Sequence, residues 1–165
     1  MKKVINIILA IVSLSIPALA GDKTVVAPPV QVVDNSLQFT AKAFAASVIE
    51  DTDTYAFGGG VSLEVPLFYD LKLEAVGSLF EDQLYTVGAN VLWYVPVTDN
   101  LSLYTLAGGA YEFETDQWTV AVGGGVKYSL SNSLSLFVDG SYNWTVQNDN
   151  EDGVVLVRTG IGFSF

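Results

Sequence analysis

Residues 55–65 read YAFGGGVSLEV. Tyr55, Phe57, Gly59, Val61, Leu63 and Val65 fall on one phase, and Ala56, Gly58, Gly60, Ser62 and Glu64 on the other. Successive side chains of a strand point to opposite faces, so this alternation predicts a strand with one apolar face and one small or polar face. The pattern returns at 85–95 (YTVGANVLWYV) and at 118–128 (WTVAVGGGVKY). No stretch from 37 onward keeps a helical apolar period.

Each segment runs into a short turn, at 66–70, 96–100 and 129–133, and a returning strand starts near Leu71, Leu101 and Leu134. The aromatic starts Tyr55, Tyr85 and Trp118 are 30 and 33 residues apart, so the repeated unit is a hairpin. A first strand at 37–49 and a last at 154–165 complete a set of eight. In the first strand, Phe44 and Val48 fall on the polar phase and are expected to mark a bulge. The fold class expected is all-β: an eight-stranded antiparallel up-and-down barrel with short loops, whose closure leaves no strand edge unpaired.

Size decides which face is apolar. Eight strands enclose an interior just wide enough for side chains. The apolar phase carries Tyr55, Phe57, Trp93, Tyr111, Phe113, Trp118, Tyr128, Tyr142, Trp144, Phe163 and Phe165, which would overfill that space. The other phase, mostly Gly, Ser, Thr and Ala with a few charges, fits inside. The apolar face therefore belongs in lipid, and the barrel is a transmembrane one. Tyr55, Tyr85, Tyr111, Trp118, Tyr142 and Trp144 lie toward one strand end; Tyr69, Trp93, Tyr128, Phe163 and Phe165 lie toward the other. Two such girdles flanking an apolar band about 25 Å tall suit a membrane barrel.

The final segment, Arg158-Thr159-Gly160-Ile161-Gly162-Phe163-Ser164-Phe165, alternates and ends on an aromatic residue. It resembles the C-terminal assembly signal of bacterial outer-membrane barrels, with Arg158, Gly160, Phe163 and Phe165 in the characteristic places. Over 37–165 the chain resembles the small OmpA/OmpX-type and opacity-type barrels in architecture. The resemblance implies recognition by the outer-membrane assembly machinery and contact with outer-membrane lipid and lipopolysaccharide. Those families commonly carry long surface loops; the short connections here argue against loop-borne adhesion.

Composition excludes much else. The sequence has no cysteine and no histidine, which rules out disulfides, Cys/His zinc sites and histidine-based triads. Outer-membrane lipases, acyltransferases and proteases lean on a catalytic histidine, so no enzyme is expected and no cofactor. Seven basic residues against 18 acidic ones, a formal net charge of −11, argue against nucleic acid as a partner. Lys2 and Lys3, an apolar run and Ala18-Leu19-Ala20 read as a secretory signal peptide at 1–20, with a linker at 21–36 containing Pro28 and Pro29 and the barrel at 37–165. Export to the bacterial outer membrane follows.

The inward phase carries Lys42, Lys72, Lys127 and Arg158 against Glu64, Glu74, Glu112 and Asp139, a neutral set. Reflecting the hairpin about Phe68 sets Glu64 opposite Lys72, and closure brings Lys42, Asp139 and Arg158 together as a buried cluster. Such a cluster either plugs the lumen and fixes register or gates a narrow hydrated path. The plug is preferred, since lumens of this strand number are usually filled. The connections on one side hold ten acids and no base: Glu50, Asp51, Asp53, Glu81, Asp82, Glu114, Asp116, Asp149, Glu151 and Asp152. They read as a solvated outer rim. Asp149, Glu151 and Asp152 are the candidates for divalent cations there, without the spacing of a full calcium loop. Three readings thus stand: a non-enzymatic envelope or surface barrel, a narrow passive pore, and a secreted soluble ligand-binding barrel of lipocalin type.

Overall fold

A computed structural model of the chain describes residues 38–50, 54–68, 70–81, 84–146 and 153–165. The expected signal and linker, 1–36, lie outside them. Eight strands follow in order: β1 (Thr40–Glu50), β2 (Thr54–Phe68), β3 (Leu71–Phe80), β4 (Tyr85–Pro96), β5 (Leu101–Glu112), β6 (Gln117–Ser129), β7 (Leu134–Thr145) and β8 (Val154–Ser164). Each pairs antiparallel with its sequence neighbour, and β1 pairs with β8 to close the barrel.

The alternation sorts the faces. Phe57, Trp93, Phe113, Trp118, Tyr128, Phe163 and Phe165 are exposed on the outside, with Val61, Val87, Val91, Val122 and Ile161 between them. An apolar surface of this extent is far larger than the few hundred Å² a soluble monomer tolerates; it fits hydrocarbon. Tyr85, Trp118 and Trp144 lie toward one rim, and Trp93, Tyr128 and Phe165 toward the other. The side chain of Tyr55 and all of Tyr69 lie outside the described residues.

Two expectations need correction. β1 holds an unbroken register with both β2 and β8, so there is no bulge at Phe44 or Val48. Phe44 simply points inward, where it packs with Ala46, Phe80 and Phe137. The register shift lies instead between Pro66 and Phe68, where a proline in the strand cannot donate to the ladder. The lumen is also not merely small and polar: a second apolar cluster of Leu92, Tyr94, Tyr104 and Leu106 fills the β4–β5 side. Glycines make that filling possible. A Cβ on Gly125 would stand 2.7 Å from the Tyr104 ring and 2.5 Å from the Cβ of Asp139.

Candidate functional site in the barrel lumen

Between the two apolar clusters the inward-pointing polar side chains close into a ring. Glu64 on β2 is paired with Lys42 on β1, accepts from Lys72 Nζ at 3.2 Å, and accepts from the Tyr94 hydroxyl at 2.5 Å. Lys42 also donates to Glu74 on β3 at 3.2 Å. Glu74 further accepts from Ser62 Oγ at 2.8 Å, Asn90 Nδ2 at 2.9 Å and Arg158 Nη2 at 3.3 Å. Arg158 on β8 grips Asp139 on β7 with two parallel bonds, Nε at 2.8 Å and Nη2 at 2.9 Å. Asp139 accepts from the Tyr104 hydroxyl at 2.6 Å, and the Tyr104 and Tyr94 rings lie 5.0 Å apart, which returns the path to Glu64.

Local pairing explains why these groups meet. Arg158 and Asp139 are direct partners in the β7–β8 ladder, and Tyr94 and Tyr104 in the β4–β5 ladder. Lys42 stands opposite Ser62 and Gly162, whose small side chains leave room for its long stem. Seven strands contribute to the ring. The eighth, β6, contributes glycines at that level, and these admit Tyr104 and Asp139.

Burial makes the ring's completeness matter. Glu64 and Glu74 are 0% exposed, and Lys42, Asp139 and Arg158 at most 4%. An unpaired charge there would cost several kcal/mol (an order-of-magnitude figure). None is left so: among the described residues every buried side-chain nitrogen and oxygen has a hydrogen-bond partner. The cations also lie over aromatic faces, Lys42 at 4.6 Å from the Phe137 centroid and Arg158 at 5.2 Å from that of Phe44.

The expected site residues fall as follows. Lys42, Glu64, Lys72, Glu74, Asp139 and Arg158 come together. Lys42 reaches Asp139 only through Glu74 and Arg158. Lys72 is not opposite Glu64: the hairpin turns at 69–70 rather than at Phe68, which pairs Lys72 with Pro66 and sets Glu64 against Glu74, so the Lys72–Glu64 contact is diagonal. Glu112 is not in the lumen cluster. It ends β5 at the rim and accepts from Thr115 Oγ1 at 3.1 Å. Without it the lumen holds four cations against three acids, and the expected neutrality fails. The surplus is Lys127, which lines the lumen and makes no ion pair among the described residues. Asp149, Glu151 and Asp152 lie outside the described residues, and among those described no group of three acids could hold a metal ion.

Sequence reasoning missed Tyr94, Tyr104, Ser62 and Asn90. The available signal was a phenol on the inward phase of each of two consecutive strands, Tyr94 and Tyr104.

The fold and its outward apolar surface define a small, closed, transmembrane-type barrel of OmpA/OmpX architecture. No family model and no curated protein matches the sequence. Solved structures do match. The N-terminal β-barrel domain of Pseudomonas aeruginosa OprF superposes with a TM-score of 0.59 at 16% identity, covering 76% of this chain and 97% of that one. A de novo designed transmembrane β-barrel gives 0.57 at 20% identity, with 76% and 95% covered. Neisserial surface protein A gives 0.50 at 16% identity, with 77% and 94% covered. At these identities the likeness is one of fold.

Proposed function

We propose that this chain is a non-enzymatic bacterial outer-membrane barrel whose sealed lumen suits it to envelope structure or surface interaction. The observation that carries this reading is the burial of the ring: a hydrated path would wet Glu64 and Glu74, and both are fully enclosed. Two apolar clusters, Phe44 with Phe80 and Phe137, and Leu92 with Tyr94, Tyr104 and Leu106, fill the remaining cross-section. The apolar outer wall supports insertion in a bilayer, and the shared fold with OprF and neisserial surface protein A supports the outer membrane. The absence of histidine from the sequence supports a non-catalytic role.

Planar-bilayer recording on the refolded protein tests the sealed lumen. Silence is expected at ordinary voltages. Steady channels of reproducible size would replace this reading with the narrow pore.

A further inference from the structure

One charge in the lumen has no role in the ring. Lys127 comes from β6, the only strand absent from it, and stands two residues from the end of that strand, near the mouth formed by the starts of β1, β3, β5 and β7. Its Nζ lies 5.6 Å from the centroid of the Tyr94 ring, and the Nζ of Lys72 lies 5.3 Å from the same centroid. Two ammonium groups thus lie over one phenol on a single arc of wall running β3–β4–β5–β6.

The arc is supplied with further donors. Ser102 is the direct ladder partner of Lys127, and Ser129 follows on the same inward phase. Neither hydroxyl makes a side-chain hydrogen bond within the chain among the described residues, and both are half-buried. Glu64, the carboxylate that Lys72 pairs with, already accepts from Lys42, Lys72 and Tyr94. Asp70 and Asp99, in the turns of this rim, are solvent-exposed. Among the described residues this mouth therefore gathers two cations and two hydroxyls without a side-chain bond beside one carboxylate, Glu64, that already accepts three bonds.

We propose that this mouth binds a phosphoryl oxyanion between Lys127 and Lys72, with Ser102 and Ser129 donating to its remaining oxygens. A tetrahedral anion suits the set: ammonium groups and hydroxyls donate from several directions, and no planar guanidinium is present to favour a carboxylate. The ring above stays intact, since Lys72 keeps two further donor hydrogens beyond the one given to Glu64. The site does not depend on whether the lumen conducts.

The test uses protein refolded in phosphate-free amine-oxide micelles with isotope-labelled lysine side chains. Inorganic phosphate is titrated at constant ionic strength in one arm, and short-chain phosphatidylglycerol in the other. Saturable shifts of the Lys127 and Lys72 resonances are expected, with Lys42 unmoved. Lys127→Gln should weaken the response about tenfold or more, as loss of a charge-assisted bond predicts. Lys127→Arg, which keeps the charge, and Ser102→Ala supply the check should Lys127→Gln fold poorly: the first should retain binding and the second weaken it. Saturation by inorganic phosphate assigns a free anion, and saturation by the lipid alone assigns a headgroup. Shifts that saturate in neither arm, or that Lys127→Gln leaves unchanged, would overturn the site.

Discussion

Glu64 and Glu74 are direct partners across the β2–β3 ladder, two carboxylates facing each other at the centre of a closed lumen, with the Lys42 ammonium bonded to both. Like charges directly opposite one another destabilise a strand pair. Here the pairing persists because Lys42, Arg158, Lys72 and the hydroxyls around them outweigh the repulsion. Lys42→Met should therefore cost about 3–5 kcal/mol, the usual penalty for stranding a buried charge. Urea unfolding of the barrel in vesicles measures it. Adding Glu74→Gln to that variant should recover part of the loss, and a double variant less stable than the single would contradict the bridging role.

The two phenols should behave as one unit. Tyr94→Phe and Tyr104→Phe each remove a hydroxyl donated to a carboxylate, at 2.5 and 2.6 Å, and each should lower stability by about 1.5–3 kcal/mol. Because the rings touch and their acceptors share one ring of bonds, the double variant should depart from additivity by about 0.5 kcal/mol or more. A strictly additive cycle would show two independent bonds.

Gly125 is where the wall gives way to the ring. An added methyl would meet Asp139 Cβ at 2.5 Å, Val138 O at 2.6 Å and the Tyr104 ring at 2.7 Å. Gly125→Ala should destabilise by about 1–3 kcal/mol through forced displacement of both partners. Gly77 is the control, because its nearest neighbour would be Thr86 O at 4.0 Å, and Gly77→Ala should be neutral or better. Equal losses at the two sites would remove the space argument.

The tryptophans report on the outer wall. Trp93, Trp118 and Trp144 are all exposed, Trp93 toward one rim and the other two toward the opposite one. In vesicles each should be quenched more strongly by lipids brominated near the headgroup than by lipids brominated at the chain ends, as interfacial aromatics require. Single-tryptophan variants separate the three signals. Strong quenching by aqueous iodide after refolding would place this wall in water.

Much of this was legible in the chain. Alternation at 55–65, 85–95 and 118–128 defines three strands outright, and hairpin spacing implies the rest. Outward and inward faces follow from period two alone. What could not be read was set by one local event and by distance. The hairpin turns at 69–70 rather than at Phe68, and the one-residue shift between Pro66 and Phe68 takes back only part of that offset, so reflection about Phe68 set Lys72 opposite Glu64 when the true partner of Glu64 is Glu74. Phe44 looked like an error of phase, because the room its ring takes is left by Gly60 on another strand. The Tyr104–Asp139 bond joins residues 35 apart, and no short window of sequence contains both.

The seam between β1 and β8 differs from every other joint in the wall. Thr40 and Ser164 share a hydrogen bond across 124 positions, and Phe39 and Phe165 exchange backbone bonds at 3.2 and 3.0 Å. The remaining strand pairs are hairpin neighbours that can zip locally, whereas this one must wait for the ends to meet, at a loop-closure cost in chain entropy. Lys42 stands on one lip of the seam and Arg158 on the other. Until the lips join, those two cations and the acids they serve keep their water. Dehydration of the interior is thereby tied to the closing of the seam, and a half-made barrel stays wet inside until it shuts.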